Sequence, residues 1–432
     1  WWHGFGDATL DELVARATAG NPSLRVARAR SARAQANADV ARSLDGPQLG
    51  AGFDLSRQRF TGNGLYPPPL AGSTRDTATL QLNGSWDLDI FGRNRAQLQA
   101  AVGVAKAAAA DSEVARTTLA VNVTRAYVQL GRYVEQRAVL ERSLAQRDEV
   151  LALIRQRVGA GIDSNVELRQ GEGALPETRQ QLEAVAEQIA LTRHALAALL
   201  AAPPQSLDSL APSLSAVRAL PVPDAVPADL LGRRADVVAA RWRVEASLGD
   251  LKAARAEFYP NVSLTAFVGL SSFGLDRLLR GGSEQYGAGP AIRLPIFTAG
   301  RLRAGLRGRA ADLDAAVESY NGVLLEAIHD VADQISSVQS VERQQGEQRL
   351  AEAAAESAYD LAKQRYRAGL GTYLVVLNAE TNVIAQRRIG TDLRARTVDA
   401  QLLLVRALGG GYAAPDDART LTTAGAPGVS LR

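Results

Sequence analysis

The chain contains no cysteine. That excludes disulfides, a thiol nucleophile and thiolate-held metals. Histidine is almost as scarce. His3, His194 and His329 lie too far apart to form a spaced ligand motif and read as surface or core-edge residues. Methionine is missing too, even at position 1, where the chain opens WWHGFGD. That opening is neither a translation start nor a signal peptide, so the expectation is a mature or truncated chain whose start lies upstream. No stretch offers 18 consecutive apolar residues, so no transmembrane helix is expected. A membrane barrel stays open, because its strands are short and only alternately apolar. Excess charge is also lacking. The 49 Lys and Arg are balanced by 46 Asp and Glu, for a net +3. No nucleic acid partner is expected, and the interleaved arginines read as solvated helix faces.

What the chain does have is a repeated sentence. QRVGAGIDSNVELRQGE (Gln156–Glu172) and QRYRAGLGTYLVVLNAE (Gln364–Glu380) lie 208 residues apart and share five identical positions. Other pairs follow in the same order. Asn21–Leu49 aligns without gaps to Arg234–Val262, and Trp86–Leu98 matches Ile292–Leu306 with a two-residue insertion. A unit of about 200 residues is too long for a solenoid repeat and points to a duplicated half-structure. The expected organisation is a first repeat over 1–202, a Pro-rich linker over 203–229, a second repeat over 230–408 and a tail over 409–432.

Each half opens with a helical pattern and continues with two alternating segments, so strands are expected at about 48–60, 76–91, 261–273 and 284–297. Leu80, Leu82, Trp86, Leu88 and Ile90 hold one parity, and Gln81, Asn83, Ser85, Asp87 and Asp89 the other. Successive strand side chains point to opposite faces, so one face is oily and the other wet. Two readings fit: a small half-buried antiparallel sheet, or a share of a closed barrel to which several chains contribute strands. In the second, Asp87 and Asp89 face a water-filled interior.

Long helical hairpins follow, over 93–201 and 301–408. Leu119, Val123, Ala126, Leu130, Tyr133, Leu140, Leu144, Leu151, Ile154 and Val158 keep a 3–4 spacing, broken at Arg137 and Arg147, where the stripe is expected to meet solvent. Leu306 to Val338 repeat the pattern. Sustained spacing of this kind means coiled-coil packing. A helix of about 65 residues would be roughly 95 Å long. The repeated sentence falls where each long helix turns back. Ala160–Gly161 and Ala368–Gly369 supply the left-handed cap, and Ser164 and Thr372 are placed to cap the returning helix. Pro176 falls inside the first of these and is a candidate kink.

The tip motif, WDLDIFGR (Trp86–Arg93), LPIF-x-x-GR-x-R (Leu294–Arg303) and LLGRRADVVAARWRVEAS (Leu230–Ser247, with Ala235 where Pro is usual) resemble the TolC-like outer membrane efflux proteins. WWHGFGD and NPSL resemble that family's lipoprotein branch, which partners resistance-nodulation-division pumps. The resemblance covers nearly all of 1–412. It implies an α+β membrane protein in the Gram-negative outer membrane, extending into the periplasm. It further implies a homotrimer in which four strands per protomer close a twelve-stranded barrel, with the helices forming a coiled-coil tunnel. It implies no cofactor, but a lipid anchor on a Cys upstream of residue 1. The partners it implies are outer membrane lipid, a periplasmic adaptor and an inner-membrane pump, with the tips Ala160, Gly161, Ser164, Ala368, Gly369 and Thr372 as the adaptor's docking point.

The family's periplasmic aperture maps by position onto Glu167, Tyr366, Asn378 and Thr381. Asn378 stands where the second tip usually carries a ring Asp, so Glu167 would hold the remaining acidity. The function implied is passive conduction of small toxic compounds. A tunnel for type I protein export keeps the same fold, and a soluble coiled-coil scaffold explains the heptads but not the wet-faced strands. For an enzyme, the chain offers no phosphate loop, metal cluster or nucleophile elbow.

Overall fold

The computed structural model describes residues 1–217 and 233–412. Seven α-helices and four strands make up the described chain: α1 (Ala8–Gly20), α2 (Pro22–Ser43), β1 (Gln48–Arg59), β2 (Thr74–Asp87), α3 (Arg93–Gly159), α4 (Asn165–Leu199), α5 (Ala235–Ala256), β3 (Asn261–Phe273), β4 (Glu284–Arg293), α6 (Arg301–Arg367) and α7 (Tyr373–Ala407). α3 and α6 have 67 residues each, and α4 and α7 have 35 each.

Two compact units can be distinguished. One holds Trp1–Arg28, Ala110–Val238 and Val323–Arg432, and the other Ala29–Ala109 and Ala239–Gly322. Each draws on both sequence repeats, so the duplication is not a pair of separate domains. In the first unit, Phe5, Leu10 and Val14 pack with Leu119, Val123, Tyr127, Leu196 and Leu402 in one core. Part of the expected linker belongs to that core, because Leu207, Leu214 and Val217 are buried in it. Residues 218–229 of the linker and 413–432 of the tail lie outside the described residues.

The helical stripe is buried along α3, with Val123, Leu130 and Ile154 inaccessible to solvent. Arg137 does meet water, paired with Glu141 at 2.7 Å. Arg147 does not. Its side chain is only 10% exposed and fills its gap in the stripe by reaching polar partners on other helices, so that expectation is corrected.

The second unit contains the sheet, antiparallel throughout in the order β1-β2-β3-β4. Register places Phe53, Leu80 and Leu270 in one cross-strand row and Ala51, Leu82, Val268 and Tyr286 in the next. All of these except Leu270 are more than a third exposed, and Tyr286 is 84% exposed. The opposite parity holds Asn83, Gln81, Thr79, Gln285 and Asp87. Among the described residues no helix covers the oily face, so the sheet is not half-buried within this chain. β1 and β4 are both left as edges.

Two strands are shorter than expected, each for a local reason. β2 stops at Asp87 rather than at 91, because Asp89 turns with φ +45° and becomes the cap of α3. β4 stops at Arg293 rather than at 297, because Pro295 has no N–H to donate and restricts Leu294 before it. Pro290 is tolerated within β4 because this is an edge strand.

Candidate functional site: the paired hairpin tips

Both tips belong to the first unit and close in the same way. The N–H of Ile162 donates to Arg157 O at 2.9 Å and that of Gly161 to Val158 O at 3.0 Å. The N–H of Leu370 donates to Arg365 O at 2.9 Å and that of Gly369 to Tyr366 O at 3.1 Å. These are paired six-to-one and five-to-two Schellman bonds. Gly161 and Gly369 adopt the left-handed backbone they need, at φ +73° and +75°. Ala160 and Ala368 are exposed beside them.

The returning helices begin differently. Ser164 forms a capping box with Glu167: Val166 N–H donates to Ser164 Oγ at 3.1 Å, and Ser164 N–H to Glu167 Oε2 at 2.9 Å. The Ser164 hydroxyl also donates to the same carboxylate. These bonds, led by that hydroxyl, hold the Glu167 carboxyl below its ordinary range, so it stays ionised at neutral pH. Thr372 occupies the N-cap of α7, but its side chain accepts no bond. Its box partner would be Val375, which has nothing to offer. Pro176 lies inside α4, which is continuous from Asn165 to Leu199.

The two tips are joined by a part-buried polar cluster. Arg157 makes a bidentate pair with Asp163, Nε to Oδ2 at 2.8 Å and Nη2 to Oδ1 at 3.1 Å. Its remaining Nη1 crosses to the second tip and donates to Tyr366 O at 3.0 Å. The guanidinium lies 4.5 Å from the centre of the Tyr366 ring, and the Tyr366 hydroxyl donates back to Asp163 Oδ2. Tyr366 is 1% exposed. Arg157's hydrogen bonds are the main reason the Asp163 carboxyl is held below its ordinary range. Burial, then the hydrogen bond to Asp163, pushes the Tyr366 phenol well above its own, so it remains a donor.

A second polar node lies among the same helices. Arg147 Nε donates to Glu380 at 3.2 Å, and its Nη1 donates to Ala174 O and Thr178 Oγ1, both at 2.8 Å. Burial raises the Glu380 carboxyl above its usual range while Arg147 pulls it back down. Arg387 clamps Glu356 with bonds of 2.6 and 2.8 Å. Tyr359, buried nearby, is pushed up to about 12 by burial and then by the Glu380 charge.

Of the positions expected at the aperture, only Tyr366 belongs to the cluster. Asn378 and Thr381 are exposed on α7, and Thr381 Oγ1 bonds its own helix at Leu377 O, 2.8 Å away. Arg157 and Asp163 were not singled out by sequence, although both sit inside the repeated stretch. In the sheet unit, Asp87 lies on the wet parity, where it accepts from Arg93 at 3.2 Å and Asn261 at 3.1 Å. Asp89 lies two residues beyond β2, and its two oxygens accept the N–H groups of Asn94 and Arg95, each at 2.9 Å. Its carboxylate satisfies orphan donors at the start of α3 instead of extending the wet face of the strand.

An exposed oily sheet in one unit and polar latches between helical hairpins in the other are the features to set beside known proteins. Residues 13–202 and 226–410 match the profile of the family described as outer membrane efflux protein. The chain belongs to the outer membrane efflux protein family. It is 36% identical over 420 residues to the multidrug resistance outer membrane protein MdtQ of Escherichia coli O6:H1, covering 95% of this chain and 88% of that one. It is 40% identical over 312 residues to the fusaric acid resistance protein FusA of Burkholderia cepacia, covering 71% and 58%. The crystal structure of VceC from Vibrio cholerae superimposes with a TM-score of 0.89 at 34% identity, over 96% of this chain and 99% of that one. This outer membrane efflux protein is therefore an exit duct in the outer membrane, a conducting protein and not an enzyme, and its fold is that of the solved channels.

Proposed function

We propose that the chain is the outer membrane component of a tripartite pump. Three copies close one twelve-stranded barrel, and small organic compounds pass through it from the periplasm to the outside. The oily outer face of the sheet supports contact with lipid, and the wet parity supports a water-filled lumen. The observation that carries the gating part of this reading is the Arg157–Asp163–Tyr366 cluster, which latches one hairpin tip to the other. In this reading a periplasmic adaptor engages the tips around Gly161 and Gly369, an inner-membrane resistance-nodulation-division pump supplies the cargo, and release of the latch opens the aperture. A lipid anchor upstream of residue 1 would fix the chain to the membrane.

Glu167, ionised and facing solvent, is the acidic group of the aperture, with Asn378 contributing no charge. Reversal potentials test this: cation selectivity should disappear in Glu167→Gln, and selectivity surviving that change would refute the assignment.

The test of the whole reading is a deletion strain challenged with antibiotics, dyes and aromatic acids while its secreted proteins are profiled. Sensitisation with secretion intact supports efflux. Unchanged susceptibility with a missing secreted protein transfers the duct to type I export.

A further inference from the structure

The wet parity of the sheet carries one aromatic ring that loop packing does not explain. Cross-strand pairing places Gly50, Asn83, Phe267 and Gly287 in one row, and Gly52, Gln81, Gly269 and Gln285 in the row beside it. Neither row contains a charged side chain. The other phenylalanine of this parity, Phe273, packs against Phe60 with ring centres 5.9 Å apart. Phe267 has no such ring partner among the described residues and is 39% exposed.

Its surroundings are cleared and polar. A Cβ at Gly287 would come within 2.7 Å of the Phe267 ring, so the ring rests over bare backbone there. A Cβ at Gly289 would meet nothing within 4 Å, which leaves the surface on that side recessed. In the neighbouring row, Gln285 Nε2 donates to Gln81 Oε1 at 3.0 Å, and the Gln81 amide donates to Asn83. A half-exposed ring is thus bordered by a line of uncharged amides, on a face whose strand residues, Phe273 apart, are small or polar.

We propose that Phe267 is a stacking platform inside the barrel for planar aromatic cargo that carries hydrogen-bonding substituents. This rests on the reading that the wet parity lines the lumen of a closed barrel. An apolar ring face and nearby amides are the two ingredients of a site for such molecules. The absence of charge in both rows makes the platform indifferent to the sign of the cargo. With three copies, three rings border one annulus, and a solute passes from ring to ring. Covering a cross-strand glycine is a structural role that aromatic residues also play in sheets. That role accounts for the contact with Gly287 but predicts no effect on solutes.

The test is single-channel recording of the full chain in planar bilayers. Ethidium is added on the side of the β1–β2 and β3–β4 loops, with tetrabutylammonium as a cation without a ring. Ethidium should interrupt the current, and Phe267→Leu should shorten those interruptions about fivefold or more, the range expected for loss of one stacking surface. Phe267→Trp should lengthen them, Phe267→Tyr should preserve them, and tetrabutylammonium should behave alike in all four proteins. Ethidium residence unchanged in a conducting Phe267→Leu pore overturns the proposal, as does a conducting wild-type pore that ethidium never interrupts. If the leucine variant fails to assemble, an unchanged residence in Phe267→Trp overturns it equally. A wild-type chain that forms no pore at all defeats the channel reading itself, and the platform with it.

Discussion

The α3–α4 tip and the α6–α7 tip end their long helices with the same pair of backbone bonds and the same left-handed glycine. Beyond the glycine they diverge. The first tip holds Asp163, the Ser164–Glu167 box and the inward-reaching Arg157. At the matching positions the second tip has Gly371, Thr372 with Val375, and an exposed Arg365. Its contribution comes instead from Tyr366, whose counterpart in the first tip is Val158. The residues that meet across the tips are therefore not the repeat equivalents. A duplicated turn has become two unlike halves, each donating one hydrogen bond to the other and accepting one in return, and the backbone motif common to both has been left alone.

Substitutions that should affect one tip and spare the other can sharpen this comparison. The largest effect is expected from Arg157→Ala, which strips a part-buried carboxylate of its partner and removes the link to Tyr366 O. It should cost about 2 to 3 kcal/mol and raise single-channel conductance, whereas Arg365→Ala should stay within about 0.5 kcal/mol. Acid should act at the same place. Asp163 has a depressed folded pKa, so its stabilisation is present above the unfolded value near ~4 and is lost as pH falls through the folded value. Conductance should hold steady between pH 8 and 5 and rise toward pH 3, and Asp163→Asn should abolish that step.

Tyr366→Phe removes one donor and keeps the ring, at a cost of about 1 kcal/mol, readable as a lower melting temperature. Ser164→Ala should cost up to about 1 kcal/mol because it deletes a working cap, and Thr372→Ala only a few tenths. The smallest effect is a gain: Val375→Glu should complete a box at the second tip and add about 0.5 kcal/mol. If thermal denaturation shows the two cap variants to be equal, the asymmetry between the tips has no energetic content.

Much of this architecture was legible because it is periodic. Leu80, Leu82 and Trp86 alternate with Gln81, Asn83 and Ser85, and the pairing register carries that alternation across all four strands. The stripe from Leu119 to Val158 predicted a long helix, and α3 has 67 residues. What escaped notice is what periodicity cannot encode. Arg147 looks like a solvated break in an apolar stripe, since nothing local reveals a carboxylate 233 residues away. Tyr366 stands out by its match to the family's aperture, but Asp163, 203 residues away, is unremarkable alone. The signal available for Asp163 was the mismatch between the repeats, a charge facing a glycine, and Tyr366 shows the same kind of mismatch, a phenol facing a valine. Asp89 has the strand's parity but serves a helix, because the choice between continuing and capping depends on the backbone turn that follows.

The two unpaired edges of the sheet bear on how the protein is made. A strand edge backed by an oily face is a template for any other strand it meets. While a newly exported chain crosses the aqueous periplasm, completing its own sheet would expose both hazards at once. The helical unit has a closed core and can form early, but the strands gain nothing by pairing before sister chains and lipid are at hand. Biogenesis should therefore run from helices to strands, with escorts needed chiefly for the segments Gln48–Asp87 and Asn261–Arg293.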